Sequence, residues 1–232
     1  MFPLLLLAAQ VALATPQQDL VQAADPEAPQ TARMQAFDRI VANGATDIAL
    51  VSKIAVEDDA DTRQRWVAIR ALGVIRGDRP RTLLMGLMDD PQPAIRAAAV
   101  QALGDLGDGT VATRVALKLR DPAIIVRAAA AEALGKLREE GSVPALSEAL
   151  HARDNWYRGS SLWVRRHYVD SLGQIGSREA IPALLRCLDD TDANVVTAAV
   201  GAFESIAGFS YAEGRDLERQ RAAWRRWAQS QM

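Results

Sequence analysis

Arginine and aspartate recur at matched positions along the chain, and this pairing is the first candidate for chemistry. Four arginines occupy equivalent places in a repeating pattern, and an aspartate lies six residues before each of the first three: Arg65, Arg96, Arg127 and Arg165, with Asp59, Asp90 and Asp121. A guanidinium binds carboxylates or phosphates through parallel hydrogen bonds. We favour a structural ladder that ties one repeat to the next over an anion-binding stripe, because the arginine stems adjoin apolar core positions. The fifth repeat has Val196 here, so the ladder should stop there.

A second candidate is a cluster of aromatic and basic residues in an insertion. One repeat carries seven additional residues, within 151–161. The residues proposed for protein binding are Trp156, Tyr157 and Arg158 in this segment, with Trp163, Arg166 and His167 just after it. Two interpretations remain open. The aromatics either fold back to repair the packing around Tyr168, which stands in a column of small residues, or form an exposed interface hot spot.

Catalytic and metal chemistry have little support in the sequence. His151 and His167 are the two histidines, and neither has carboxylates or cysteines at metal-ligand spacing. Cys187 is the one cysteine, which excludes an internal disulfide, and we expect it on the packed side of a helix. No glycine-rich phosphate loop or elbow-type serine is present. We therefore predict no enzyme activity, no metal and no cofactor.

The elements that position these residues follow an internal repeat. A column of leucines, with one phenylalanine, marks equivalent positions at Leu72, Leu103, Leu134, Leu172 and Phe203. Successive members of the column are thirty-one positions apart, except that the step from Leu134 to Leu172 is longer by seven. Apolar residues around this column recur with helical periodicity, which predicts one amphipathic inner helix in each repeat. A shorter apolar segment precedes each inner helix, so each repeat is a helical hairpin that must bury its apolar face against its neighbours.

Turn residues separate the predicted helices. Asp90-Pro91 and Asp121-Pro122 lie between the two helices of a hairpin, where an aspartate accepts hydrogen bonds from the free N–H groups of a helix start. Glycines follow the leucine column, as in Gly104 with Gly107. We expect these glycines to allow tight or left-handed exits from the inner helices.

The pattern D-P-x-x-x-V-R-x-x-A-x-x-A-L-G at Asp121–Gly135 resembles the short bacterial HEAT repeats also found in phycobilisome-lyase-type proteins. The resemblance covers residues 45–208 in five units, with capping helices expected at 31–43 and 214–231. It implies an all-α fold, an α-solenoid in which stacked helical hairpins form a right-handed superhelix. The iron-binding His-Glu pairs of the HEAT-repeat hydroxylases are absent.

Composition and the N-terminal segment limit the function further. The 232 residues are 49% apolar and 24% charged, which excludes a disordered or collagen-like chain. A net charge of −2 gives no overall attraction to nucleic acid. Residues 1–14 form an apolar run that ends in Ala12-Leu13-Ala14, which predicts a signal peptide too short to span a membrane well. Residues 15–30, with three prolines, are expected to be a flexible linker before the solenoid at 31–232.

These features lead to one preferred function and two alternatives. We predict an exported scaffold, periplasmic or secreted, that binds a protein partner of unknown identity through its solenoid surface and the aromatic insertion. The mature chain is expected to be a monomer with no integral membrane span and no catalysis. The resemblance to phycobilisome-lyase-type repeats keeps open a lyase or chaperone that acts on a tetrapyrrole-bearing protein. The other alternative is a nucleic-acid-binding HEAT-repeat protein. The pI of about 5.8 and the export signal argue against it.

Overall fold

The computed structural model describes residues 14–211 and 216–232, and its regular structure there is almost entirely helical. The helices, in chain order, are α1 (Pro16–Ala24), α2 (Gln30–Ala42), α3 (Gly44–Val56), α4 (Thr62–Ile75), α5 (Asp78–Leu87), α6 (Pro93–Leu106), α7 (Ala112–Leu117), α8 (Ile124–Leu137), α9 (Val143–His151), α10 (Val164–Ile175), α11 (Ile181–Cys187), α12 (Ala193–Ala207) and α13 (Leu217–Gln231). Two short strands, β1 (Trp156–Tyr157) and β2 (Ser160–Ser161), separate α9 from α10. Residues 1–13 of the expected signal peptide and 214–215 of the expected cap lie outside the described ranges.

Ten of these helices pair into five hairpins, which we call units 1 to 5. Each unit has an outer helix followed by an inner helix: α3–α4, α5–α6, α7–α8, α9–α10 and α11–α12. The inner helices stack in chain order, so that each packs against the inner helix of the next unit. This order confirms the predicted all-α solenoid, since each hairpin contacts mainly its neighbours. Among the described helices, none has the length and apolar character needed to cross a bilayer.

The leucine column forms the central line of the core. All five of its residues have no solvent exposure: Leu72, Leu103, Leu134, Leu172 and Phe203. They belong to one continuous cluster of buried residues that runs from unit 1 to unit 5. Fully burying a leucine contributes roughly 1.5–3 kcal/mol to folding. Stacking of the units is therefore the main source of stability, as the repeat pattern predicts.

A column of glycines lets the inner helices approach one another closely. Gly104 lies inside α6, and a Cβ added there would be 2.7 Å from the Cα of Ala133 in α8. Glycines at the same place in α4, α8 and α10 also face a small residue of the next inner helix. The expectation that Gly104 forms the helix exit is therefore wrong. Gly107, whose φ is +71°, makes the left-handed exit from α6.

A helix occupies part of the segment that the sequence assigned to a flexible linker, so that expectation is wrong for residues 16–24. The helix α1 begins with a capping box in which Thr15 N–H donates to Gln18 Oε1 at 2.8 Å and Gln18 N–H donates to Thr15 Oγ1. Pro16 lies in the first turn, where its missing N–H costs nothing. Proline content alone therefore led to the wrong prediction.

Tertiary contacts hold α1 against the solenoid. Leu20 is fully buried in the common core. The buried Asp19 accepts two hydrogen bonds from Arg39 of α2, at 2.6 and 2.9 Å. Both α1 and α2 pack against α4. The two helices thus cover the open end of unit 1 together.

The C-terminal helix α13 covers the opposite end of the array. It packs against α11 and α12. Trp224 is fully buried, and its ring stacks on Phe203 with 5.8 Å between ring centroids. Arg221 and Arg225 donate to Asp189 of unit 5 at 3.1 and 2.5 Å. The helix therefore has an apolar side on the core and a basic side that is paired with unit 5.

Candidate functional site

The arginine column forms ion pairs that run forward from one unit to the next. Arg96 of α6 donates two hydrogen bonds to Asp121 in the turn of unit 3, at 2.8 and 2.9 Å. Asp121 also accepts the backbone N–H of Ala123 at 2.9 Å, so it stabilises its own turn as well. Arg96 donates in addition to the carbonyl oxygens of Asp90 and Pro91 in the turn of unit 2. One side chain thus joins the turns of two units.

The same forward pairing occurs in units 1 and 4. Arg65 donates to Asp90, 25 residues later, at 2.5 Å, and Arg165 donates to Asp190. The four side chains are almost completely buried. Asp59, which the sequence grouped with the ladder, is exposed and lies outside it, because no unit precedes it. Asp190 belongs to the ladder instead. It could have been identified from the sequence, because it lies 25 residues after Arg165.

Hydrogen bonding keeps the Arg96–Asp121 pair ionised. Burial alone would raise the pKa of Asp121, but the hydrogen bonds from Arg96 and from the Ala123 N–H outweigh it and hold that pKa below its ordinary value. The same pairing with Asp121 raises the pKa of Arg96. A guanidinium that is already bound to a carboxylate is not free for an external anion. The geometry therefore favours a structural ladder over an anion-binding stripe.

An amide replaces the carboxylate between units 3 and 4. Arg127 Nε donates to Asn155 Oδ1 at 3.1 Å, and Asn155 Nδ2 donates to the carbonyl oxygen of Ala149 at 2.7 Å. Asn155 also donates to the hydroxyl of Tyr168 at 3.4 Å, and Tyr168 is fully buried. The insertion thus supplies the residue that completes both the ladder and the packing around Tyr168. Sequence analysis missed Asn155 because the insertion places it 28 residues after the arginine.

The insertion folds into a tight β-hairpin at the edge of unit 4. The strands β1 and β2 pair antiparallel, with Trp156 opposite Ser161. Arg158 and Gly159 form the turn, with φ of +49° and +80°. Positive φ at both turn positions matches the twist of the two strands. The hairpin presents Tyr157, which is 61% exposed, and Arg158 at its tip.

The predicted binding residues divide into two groups. Trp156 belongs to the packed structure, because its ring centroid lies 3.7 Å from the guanidinium carbon of Arg165, the arginine that pairs with Asp190. This contact supports the packing-repair interpretation for Trp156. Four of the others are exposed: Tyr157, Arg158, Trp163 and Arg166.

His167 links this exposed group to unit 3. Its Nδ1 lies 2.8 Å from Glu132 Oε1 of α8. Its ring contacts Trp163 edge to face, with 5.2 Å between ring centroids. The hydrogen bond from His167 holds the pKa of Glu132 below its ordinary value. His167 therefore positions the Trp163 ring on the surface beside α8 and α10.

Three exposed apolar side chains at or beside the inner helices were missed by the sequence analysis. Some positions two before or one after the arginine column are exposed in units 1, 3 and 4. They hold Trp66, Ile125 and Trp163, which are 44%, 45% and 48% exposed. Ala97 and Ala128, at the place that Trp66 has in unit 1, are 9% and 5% exposed and belong to the buried core. The sequence could have indicated the three exposed side chains, because tryptophan and isoleucine stand at positions that the helical periodicity assigns to solvent.

A cleft of about 390 Å³ lies beside Trp66. Trp66 lines it together with Met34 and Phe37 of α2, and Met34 is 58% exposed. The guanidinium of Arg70 lies 5.9 Å from the centroid of the Trp66 ring and pairs with Asp105 at 2.9 Å. An apolar patch therefore lies between α2 and α4 at the N-terminal end of the array.

The remaining candidates for chemistry are buried or half-buried. Burial raises the pKa of the Cys187 thiol to about 12. Burial lowers the pKa of His151, whose Nε2 lies 3.2 Å from the carbonyl oxygen of Ala183. Within residues 14–211 and 216–232, no group of three or more His, Cys, Asp or Glu side chains is placed to hold a metal ion. Neither Cys187 nor His151 is positioned for nucleophilic or metal chemistry.

Two repeat families match the sequence. HEAT repeats match residues 48–118 and 157–213, more than half of the chain. The PBS lyase HEAT-like repeat matches residues 126–151. These ranges include the inner helices of units 1, 2, 4 and 5 and all but the first two residues of the inner helix of unit 3. No match to a curated protein was found.

Solved solenoid structures resemble the chain at low sequence identity. An engineered protein has a TM-score of 0.54 at 19% identity, over 83% of this chain and 89% of its own. The archaeal HEAT-like repeats protein from Thermococcus onnurineus NA1 has a TM-score of 0.53 at 14% identity, over 94% and 98% of the two chains. The complex of CpcE and CpcF of phycocyanin lyase from Nostoc sp. PCC7120 has a TM-score of 0.39 at 19% identity, over 100% and 98%. These identities show the fold alone, whereas the family match over more than half of its length shows that this chain belongs to the HEAT-repeat family.

Proposed function

We propose that this chain is an exported, non-catalytic scaffold that binds another protein. The observation that supports it most is the exposed aromatic and basic surface of unit 4, formed by Tyr157, Arg158, Trp163 and Arg166. Tryptophan, tyrosine and arginine are the residue types that contribute most to the energy of protein interfaces. Unlike Trp156, these four side chains do not cover an arginine of the ladder. Their exposure is therefore better explained by a binding partner than by packing.

Contacts at the base of the hairpin hold its tip ready for binding. Ser161 Oγ donates to Asp190 Oδ1, and Ser161 N–H donates to Thr191 Oγ1 at 3.4 Å. These bonds fasten β2 to the turn of unit 5. Side chains on an ordered segment lose less conformational entropy when a partner binds. The hairpin thus favours binding through a preformed surface.

A crosslinking pull-down from the envelope fraction tests the proposed surface. Tyr157→Ala combined with Arg158→Ala removes the tip and leaves Trp156 and the ladder in place. We expect at least a tenfold loss of the captured partner with an unchanged melting temperature. Leu117→Ala is the matched control, because Leu117 is similarly exposed but lies on the outer helix α7. Undiminished capture by the tip variant would contradict this surface.

The exported location is supported by the N-terminal sequence. The apolar run of residues 1–14 ends in a small-x-small motif, which is typical of signal-peptide cleavage. Cell fractionation with mass spectrometry tests it. We expect a mature chain that begins at Thr15 in the envelope or secreted fraction. An uncleaved chain in the cytosolic fraction would contradict export.

A lyase or chaperone for a tetrapyrrole-bearing protein is the second candidate. One observation favours it, which is the match of residues 126–151 to the PBS lyase HEAT-like repeat. Incubation with a bilin followed by gel filtration separates the two candidates. The scaffold proposal expects the protein to elute without visible absorbance. Absorbance that elutes with the protein would favour the second candidate.

Nucleic-acid binding is opposed by charge. The chain has 27 basic and 29 acidic residues, and the ladder arginines are paired with aspartates or an asparagine. Affinity for nucleic acid comes largely from cations that contact phosphates. We expect the protein to pass through a DNA column at moderate salt, and its retention would reverse this conclusion.

A further inference from the structure

Arg127 is the ladder arginine that no carboxylate neutralises in the part of the chain that the structure describes. It donates instead to neutral oxygen atoms, which are Asn155 Oδ1 at 3.1 Å and the carbonyl oxygens of Asp121, Pro122 and Asp154 at 2.9, 3.2 and 3.3 Å. Arg127 is only 8% exposed. A buried charge is usually paired with its opposite, because neutral acceptors leave it uncompensated. Arg127 therefore keeps a capacity for a carboxylate that the other ladder arginines have already used.

Arg127 lines a pocket of about 520 Å³ between the turn of unit 3 and the start of the insertion. This volume lies within the range of about 300–1,000 Å³ that is typical of ligand sites. Apolar residues form part of its wall: Leu119, Pro122, Ala149 and Ala152. The pocket can therefore hold an acidic side chain whose methylene groups contact the apolar wall while its carboxylate meets the guanidinium.

Three carboxylates also line the pocket, and two of them are already paired. Asp121 accepts from Arg96 at 2.8 Å, and Glu148 accepts from Arg120 at 2.6 Å. Asp154 is exposed, and among the described residues its carboxylate forms no ion pair. A negative charge at the pocket weakens its attraction for an anion. Removing the Asp154 charge should therefore strengthen binding of a carboxylate, which gives the site a direct test.

We propose that this pocket binds the side-chain carboxylate of an aspartate or glutamate of the protein partner, and that Arg127 pairs with it. The three other arginines of the ladder each meet an aspartate side chain, and a guanidinium binds a carboxylate through parallel hydrogen bonds. Asn155 lies two residues before the exposed Tyr157, so the pocket adjoins the hairpin that carries the proposed binding surface. This inference deepens the proposed function and rests on it.

Three short peptides test the class of ligand on the full chain labelled with nitrogen-15. The first has a central aspartate between glycines, an acetylated N-terminus and an amidated C-terminus. The second has asparagine in place of the aspartate, and the third is the second with a free C-terminal carboxylate. The measurement is the chemical shift of the Arg127 Nε–H group, which is assigned by its loss in Arg127→Lys.

The size of the shift decides between the sources of the carboxylate. We expect a saturable shift with the aspartate peptide that is at least threefold larger than the shift with either of the other peptides. Equal shifts with the aspartate and asparagine peptides would overturn the inference. A larger response to the third peptide would overturn the assignment to a side chain, because the site would then bind a chain terminus.

Two variants with opposite expected effects test the place of binding. Asn155→Asp gives Arg127 a carboxylate from its own chain, so we expect it to weaken binding of the aspartate peptide at least tenfold. This variant also loses the hydrogen bond from Asn155 Nδ2 to the carbonyl oxygen of Ala149, so its melting temperature is measured alongside. Asp154→Asn keeps the carbonyl oxygen that Arg127 contacts and removes the unpaired charge, so we expect it to bind the peptide at least twofold more tightly.

Asp59→Asn is the matched control for Asp154→Asn. It removes one exposed carboxylate from the turn of unit 1 and changes the net charge by the same amount. We expect it to leave binding of the aspartate peptide unchanged. Equal affinities in Asp154→Asn and Asp59→Asn would overturn the assignment to the pocket.

The pull-down distinguishes a failure of this inference from a failure of the proposed function. If the peptides do not shift the Arg127 signal while the pull-down still captures a partner that the tip variant loses, this inference fails and the proposed function stands. A shift of the Arg127 signal by the aspartate peptide, with no partner captured by the wild type, would instead refute the proposed function.

Discussion

The ladder residue Asp190 forms an ion pair with a buried arginine and also accepts hydrogen bonds from Ser161 Oγ and the Asp192 N–H. Its side chain and that of Arg165 are 1% and 2% exposed, and the Trp156 ring covers the arginine. Asp190→Ala leaves a buried guanidinium without its carboxylate, so we expect the free energy of unfolding to fall by about 3–5 kcal/mol. Urea denaturation followed by circular dichroism measures this loss.

An exposed ion pair provides the control for that prediction. Arg120 and Glu148 lie 2.6 Å apart, but their side chains are 74% and 67% exposed. Solvent screens such a pair, so Glu148→Gln should change the free energy of unfolding by less than about 1 kcal/mol. Losses of similar size in Asp190→Ala and Glu148→Gln would show that burial does not determine the strength of the ladder.

The half-buried His151 makes stability depend on pH. Burial lowers its pKa in the folded state, whereas the unfolded chain has the ordinary value of about 6.5. As the pH falls below about 6.5, the unfolded state takes up a proton that the folded state does not, so the free energy of unfolding decreases. His151→Gln should remove this component. Urea midpoints at about pH 7.5 and about pH 5.5 test it, and an identical pH dependence in wild type and variant would contradict it.

At the scale of elements, the close contact between α6 and α8 depends on Gly104, which has no side chain. Gly104→Ala places a methyl group against the backbone of Ala133, so we expect a loss of about 1–3 kcal/mol in the free energy of unfolding. Gly201→Ala in α12 is the control, because an added Cβ there has no neighbour within 4 Å. Alanine favours the helix, so this variant should gain up to about 1 kcal/mol. Changes of the same sign would refute the close-contact explanation.

The helical elements could be predicted because every unit repeats the same local rules. The leucine column predicted the stacked inner helices, and the longer step from Leu134 to Leu172 located the insertion. The contacts that this insertion makes with the inner helices could not be predicted. Asn155 and Trp156 contact Arg127 and Arg165, which lie on two different inner helices. Such contacts between distant segments leave no periodic signal in the sequence.

Contacts between distant segments also explain the other differences between the sequence predictions and the structure. The forward pairing of Arg96 with Asp121 crosses 25 residues, whereas the sequence pattern drew attention to the aspartate within the same unit. The helix α1 depends on a capping box and on burial of Leu20 against the solenoid. The exposure of Trp66 and Ile125 depends on how the inner helices stack, because Ala97 and Ala128 near the same helix positions are buried. Sequence periodicity thus predicted the array better than the surface it presents.

At the scale of the whole molecule, an array of units is weakest where an end is uncovered. Trp224→Ala removes the fully buried ring that covers unit 5, and we expect a loss of about 3–5 kcal/mol. Cys187 in α11 reports this opening, because its buried thiol has a pKa of about 12 and should not react in the folded state.

A chromogenic disulfide reagent measures that opening as the rate of thiol modification. We expect Trp224→Ala to react at least tenfold faster than the wild type. Trp163→Ala, which removes an exposed ring far from the cap, should react at the wild-type rate. Equal rates in all three proteins would show that α13 does not protect unit 5.

The forward direction of the ladder also bears on how the chain folds as the ribosome makes it. Arg65 and Arg96 each meet their carboxylate 25 residues later, so neither guanidinium is neutralised until the following turn has left the exit tunnel. Each newly made hairpin therefore stays incomplete until its successor arrives, and folding proceeds from the N-terminus. Unit 5 carries Val196 at this place, so its inner helix can fold without a carboxylate further along the polypeptide.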